Sequence, residues 1–296
     1  MSPAPEIFDR RLLRARRERA AAGLGEVAFL LDEVAERLVE RLEGIRRSFP
    51  LVLDLGSHDG RLARLLAARP AVGTVVRADL APAMLAGGDG PRVAADEELL
   101  PFGPDSFDAV VGAMSLHWVN DLPGTLAQIR WCLKPDGLLL LAFPGGETLG
   151  ELRASLLRAE LELTGGASPR VSPFVALQDA AALLQRAELA LPVADGDRIT
   201  VSYAEPLRLL LELRRMGEAS ALVERPRAPL RRAVLARALE LYRAEHGDAE
   251  GRVPATFEIL FLTGWKPHES QPRPLPRGSG RVPLARVLGG GASRPA

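Results

Sequence analysis

From residue 27 onward, apolar side chains recur at spacings of three and four: Val27, Leu30, Leu31, Val34, Leu38, Leu42 and Ile45. This is the period of one helix face, and Glu33, Glu36, Arg37 and Arg41 mark the opposite, solvated side. An arginine-studded helix is expected before it, over residues 7–22. Then the period changes. Leu51–Leu55, Thr74–Asp79, Phe107–Ala113 and Leu138–Phe143 are short, mostly apolar runs without steady alternation. Helical patterns separate them, over residues 61–69, from Pro82, and over 122–133, the last closing at the turn signature Lys134-Pro-Asp-Gly137. Such strands predict a parallel sheet covered on both faces, a doubly wound α/β fold with its ligand beyond the carboxyl ends of the strands. In the second half, helices are expected over 148–163, 173–187, 206–216 and 230–246. Strands are expected over 197–203 and 255–262.

Composition narrows the class. In 296 residues, 47% are hydrophobic, enough for a globular core. The 38 basic residues balance 38 acidic ones, which disfavours nucleic acid as the main partner. Only Lys134 and Lys266 among them are lysines. The single cysteine, Cys132, excludes an intramolecular disulfide and a thiolate zinc cluster, and its helical setting predicts a buried thiol. The first 19 residues read as neither signal nor transit peptide, and no run reaches the ~20 apolar residues of a membrane span. A cytoplasmic protein is expected, with contact at a membrane surface left open.

The chemistry concentrates in three segments. In Leu51-Val-Leu-Asp-Leu-Gly-Ser-His-Asp-Gly60, a glycine turn lets backbone approach a ligand, ahead of a helix N-terminus. His58 and Arg61 stand where a dinucleotide fingerprint needs glycine. Asp79 closes the second strand, where an acid accepts both hydroxyls of a ribose; the alternative is a helix N-cap. Asp96 is placed to accept an adenine amine, or else belongs with Glu97 and Glu98 to a solvated face.

In order and spacing these segments, with Ser115-Leu-His-Trp-Val-Asn-Asp121 and Leu133-Lys-Pro-Asp-Gly137, resemble class I S-adenosylmethionine-dependent methyltransferases. The resemblance implies a Rossmann-like doubly wound sheet, mostly parallel with an antiparallel last strand, plus N-terminal helices and helices inserted in the C-terminal half. The domains expected are an N-terminal helical lid over 1–47, a methyltransferase-fold domain over 48–266 with a helical insertion at about 205–250, and, because Pro, Gly, Ser and Arg dominate there, a loose tail over 267–296. It implies S-adenosyl-L-methionine as cofactor, with Asp54, Gly56, Ser57, Gly60, Asp79, Leu80, Asp96, Glu97 and Ser115 around it. Most members carry glycine at the position of His58.

A narrower resemblance spans nearly the whole chain, carried by Ile7-Phe-Asp-Arg10, Ala95 to Phe102, Ser115 to Pro123, Ser172-Pro-Phe174, Val253-Pro-Ala-Thr256, Gly264-Trp-Lys266 and His268-Glu-Ser-Gln271. These segments are similar to the assembly factor 5 family of respiratory complex I (NADH:ubiquinone oxidoreductase). That family is described as hydroxylating an arginine of a complex I subunit. The likeness implies a protein client, a complex I subunit, modified by this chain.

Four functions follow: a methyltransferase acting on that client, the arginine hydroxylase, a non-catalytic assembly chaperone, and a small-molecule or acyl-carrier-protein O-methyltransferase. His117 is the candidate catalytic base, or else a wall of the pocket; Trp118 faces a sulfonium or packs in the core. His58-Asp59 and His268-Glu269 are adjacent pairs, His117 to Asp121 is too long a step, and no metal ligand is assigned. The arginine helix, residues 10–19, is expected to form part of a lid or a client contact and to be dispensable for stability; the alternative is a solvated helix.

Overall fold

The structure, a computed structural model, describes residues 6–272. Seven strands form one sheet: β1 Phe49–Leu55, β2 Val72–Asp79, β3 Arg92–Ala94, β4 Phe107–Ala113, β5 Leu133–Pro144, β6 Ala190–Tyr203 and β7 Val253–Trp265. Their order is β3-β2-β1-β4-β5-β7-β6. β1 to β5 pair in parallel, and β7 runs antiparallel between β5 and β6. This is the doubly wound sheet with an antiparallel last strand that the sequence pattern and the resemblance predict.

Successive residues of the central strands go to opposite cores, which is why they lack polar alternation. Leu138, Leu140 and Ala142 join the side covered by α2 Phe29–Glu40, α3 Arg61–Ala67, α5 Gly150–Thr164, α7 Pro206–Met216 and α8 Arg232–His246. Leu139, Leu141 and Phe143 join the side covered by α4 Leu122–Cys132 and α6 Leu177–Arg186. Cys132 is buried and unpaired there, as expected.

Four local expectations change. Pro82–Leu85 forms one 3-10 turn rather than a longer helix. β3, three residues at the sheet edge, is too short to register in an apolar pattern. The turn sequence at 134–137 lies inside β5: Leu133 pairs with Phe107 before a register shift, and Asp136 takes φ +62. The described part of the C-terminal segment is tied down, since Gln271 Nε2 donates to Asp136 Oδ1 at 2.8 Å and to the Lys266 carbonyl at 2.9 Å. Residues 273–296 of the expected tail lie outside the described residues.

The largest difference concerns α1, Arg10–Ala20. Asp9 caps it by accepting the Leu12 N–H at 2.9 Å, and Leu13 and Arg17 on its inner face are fully buried. The segment before it pairs with residues 221–223 through Asp9 N–H to Ala221 O at 2.8 Å and Val223 N–H to Ile7 O at 2.9 Å. A helix held in this way is part of the core. The expectation that this helix is dispensable for stability is therefore corrected: Arg10 and Arg17 point inward.

Candidate functional site

β1, β2 and β4 end on one edge of the sheet, and their last residues build a polar cradle. After Leu55 the chain turns at Gly56, with φ +69; a Cβ there would stand 2.1 Å from Ser115 Oγ. Only glycine allows that approach. Gly60, with φ +83, lies against the Arg77 guanidinium, which donates to the carbonyls of His58 and Met84 at 2.9 Å each and fixes the loop.

His58 adopts the left-handed backbone that a glycine would take, with φ +47. Its N–H donates to Asp79 Oδ2 at 3.0 Å, and its ring Nε2 meets the Met114 carbonyl at 3.2 Å, so the proton sits on Nε2. These contacts hold a strained residue in place and turn its ring toward the end of β4. Burial and the nearby Arg17 keep the imidazole below its usual pKa, hence neutral.

Asp79 is fully buried and accepts two backbone N–H groups, from Ala81 at 2.8 Å and from His58. These are the bonds of a turn residue, the second of the two roles read from sequence. Asp96 accepts Glu98 N–H at 2.9 Å and Arg10 Nη2 at 2.6 Å. Glu97 is not part of a solvated face: it is completely buried between Arg10 and Arg17, whose Nη1 donates to it at 3.0 Å. Burial alone would raise its carboxyl pKa; the two guanidiniums more than reverse this. Leu80 packs with Phe8, Leu13 and Trp118 beside them.

Around the glycine turn, several buried polar atoms have no partner: both carboxylate oxygens of Asp54, Ser57 Oγ, His58 Nδ1, and Nε and Nη2 of Arg17. Burial pushes the Asp54 carboxyl up to about 7 despite nearby Arg77. Buried polar groups are nearly always satisfied, so a ring of unmet ones fits a polar ligand. Ser115 Oγ, by contrast, donates to the Leu55 carbonyl at 3.2 Å.

A second region adjoins this one. A cavity of about 220 Å³ has apolar walls from Leu30, Leu152, Leu156, Leu213 and Phe257, and is also lined by His58, His117 and Glu218. His117 Nε2 lies 2.9 Å from Glu218 Oε2, and the Trp118 indole N–H donates to the same oxygen at 2.7 Å. His117 Nδ1 is buried and unpartnered. Burial works against the Glu218 charge, but His117 and Arg17 bring its pKa down to about 2. Trp118 also packs edge-on against Phe8 at 5.2 Å, so it is a core residue with a polar task. Sequence reasoning missed Arg17, Arg77 and Glu218. For Glu218 the one local signal is Gly217, the left-handed cap of α7, which sets the direction of the next residue.

His268, by contrast, is exposed and bonds to Ser270. Among the described residues, no three His, Cys, Asp or Glu converge as a metal-holding group, and no helix is long and apolar enough to cross a membrane.

The sheet order, the glycine turn and the acids at the ends of β2 and β3 define a protein of the class I methyltransferase fold. A family model described as a methyltransferase domain matches residues 53–141. The YcgJ protein of Bacillus subtilis has a similar fold, with a TM-score of 0.55 at 16% identity, over 80% of this chain and 99% of that one. Within that fold, the chain belongs to the family of the arginine-hydroxylase NDUFAF5. It is 43% identical to the human mitochondrial protein of that name, over 93% of this chain and 81% of the relative. Identity to the zebrafish protein is 40%, over 94% and 88%. It is also 37% identical to a malonyl-[acyl-carrier protein] O-methyltransferase of Halorhodospira halophila, over 88% of this chain and 89% of that one.

Proposed function

We propose that this chain binds S-adenosylmethionine along the ends of β1, β2 and β4 and modifies a protein client in the cytoplasm, a subunit of respiratory complex I during its assembly. The observation that carries the cofactor is the ring of unsatisfied buried polar atoms around the glycine turn. Gly56 and Gly60 bring backbone to it, Asp79 holds the ribose, and Asp96 and Glu97 lie toward the adenine. When bound, the cofactor supplies an electrophilic methyl group. The chain's own residues exclude water and orient the acceptor in the cavity, with His117 as its candidate base. The identity to arginine hydroxylases over most of the chain supports a protein client.

Arginine hydroxylation is the second reading, and it rests on the names of those relatives. The malonyl-[acyl-carrier protein] relative supports a third, O-methylation of a carrier-bound acid. Calorimetric titration with S-adenosylmethionine and S-adenosylhomocysteine tests the cofactor; absence of binding at millimolar ligand defeats it and leaves the assembly chaperone. Mass spectrometry of complex I subunits incubated with the protein then decides the chemistry. A gain of one CH2 supports methylation, and a gain of one oxygen supports hydroxylation.

A further inference from the structure

Between α1 and α7 lies an open groove of about 1070 Å³. Leu207, Leu211 and Arg214 stand at i, i+4 and i+7 on α7, so they share one helix face over about 10 Å of its length. Both leucines line the groove, 42% and 51% exposed. One exposed leucine means little, but two in register on a groove wall are apolar surface without a cover. Arginines surround them: Arg16 and Arg19 from α1, and Arg208, Arg214 and Arg215 from α7. The acids of the groove are Glu205 and Glu212, and both are engaged. Arg243 holds Glu205, while Arg208 and the Tyr203 hydroxyl hold Glu212. Among the described residues, no acid lies within ion-pair distance of Arg19 or Arg214. The groove is therefore positive, and the rest of the chain has no acid to offer it: residues 1–5 and 273–296 contain neither Asp nor Glu. It also adjoins the apolar cavity, since Arg214 and Ala219 line both.

We propose that this groove docks an acidic amphipathic helix of the protein client. The helix lays its apolar side chains on Leu207 and Leu211 and its carboxylates on Arg19 and Arg214. This rests on the reading that the chain modifies a protein client in the adjoining cavity. The two leucines call for apolar partners, which a bare polyanion lacks, and the concave shape suits a helix better than a flat bilayer. α7 thus has two working faces: Leu210 and Leu213 wall the cavity, and Leu207 and Leu211 hold the client beside its mouth. Recognition is then separate from the residue that is modified.

The test is fluorescence anisotropy on the full chain with two labelled peptides of about 18 residues, some five helical turns. One carries leucines at spacings of three and four with glutamates on the flanks; the other has the same composition with the leucines scattered around the helix. The first is expected to bind about tenfold or more tightly, the worth of one buried leucine. Arg19→Glu with Arg214→Glu weakens it about tenfold or more, by turning two attractions into repulsions. Arg231→Glu with Arg232→Glu, the same change of charge outside the groove, costs about twofold or less. Leu211→Ser weakens binding severalfold at constant charge, and decides the matter if the double groove variant does not fold. Equal binding of the two peptides overturns the proposal, as do equal losses in the two double variants. So does binding only to phosphatidylglycerol vesicles, which makes the groove a membrane contact, or a self-association that the groove variants abolish. A protein that binds S-adenosylmethionine but not the peptide keeps the proposed activity and loses this dock; one that binds the peptide but not the cofactor does the reverse.

Discussion

Two neighbouring regions of this molecule are built on opposite principles. Under α1, charge is packed against charge: Arg10 and Arg17 lie among Asp79, Asp96 and Glu97, with Glu97 and Arg17 fully buried. Under α7, the walls are mostly leucine, with Phe174 and Phe257, around about 220 Å³ of open space; the polar groups in the lining include His58, the His117–Glu218–Trp118 set, Arg170 and Arg214. A buried charge cluster tolerates little change, because each ion left without its partner is strongly destabilising. An apolar cavity tolerates substitution but discriminates by shape and by its few polar atoms. The contrast fits the function proposed above, a cofactor on one side and an acceptor on the other.

The comparison breaks most visibly at Glu97. Glu97→Ala leaves two guanidiniums facing a void, and a loss of about 3–5 kcal/mol is expected, read as a lower melting temperature. Deleting residues 1–22 is expected to destabilise at least as much, because Leu13 and Arg17 go with it. An unchanged melting temperature in either variant would mean that the charge cluster is no more integral than a surface helix.

Asp79→Ala sharpens the point, since the carboxylate serves both loop and ligand. Affinity for S-adenosylmethionine should fall roughly 30- to 1000-fold, and stability by about 1–3 kcal/mol from two unmet N–H groups. A drop in stability with affinity intact removes the ribose role.

Asp54 reports on pH. Its carboxyl is raised to about 7 in the folded protein, so its contribution to stability is full below the unfolded value near 4, is lost progressively as pH rises to about 7, and changes little above that. Asp54→Asn should therefore gain stability at pH 8 relative to pH 5, on the order of 2 kcal/mol. Equal effects at both pH values would show that Asp54 carries no buried charge.

The smallest change belongs to the cavity. Glu218→Gln keeps shape and an acceptor, so stability should move by only about 1 kcal/mol and S-adenosylhomocysteine affinity by about twofold or less. The Trp118 indole N–H resonance should nevertheless shift, as its acceptor loses charge. A change in affinity as large as that of Asp79→Ala would mean that the two regions are one site.

The strands, the glycine turn and the three acids were legible along the chain because each is a local pattern. Unalternating apolar runs follow from burial on both faces, and Gly56 follows from one close approach after β1. The His58 substitution was equally visible, but its consequence was not: the ring's direction depends on Met114, 56 residues away. Arg17 and Glu97 are 80 residues apart, and Glu218 is 101 residues from His117. With 36 arginines in the chain, no spacing tells which guanidinium turns inward. Sequence therefore determined the sheet, the glycine turn after its first strand and the acids beyond its strand ends. Tertiary structure decided which cations meet those acids, which nitrogens of Arg17 stay without a partner and where a carboxylate joins His117. The reason is physical: hydrophobic period is set by each element's own geometry, whereas ion pairs and orphaned donors exist only once distant elements are packed together.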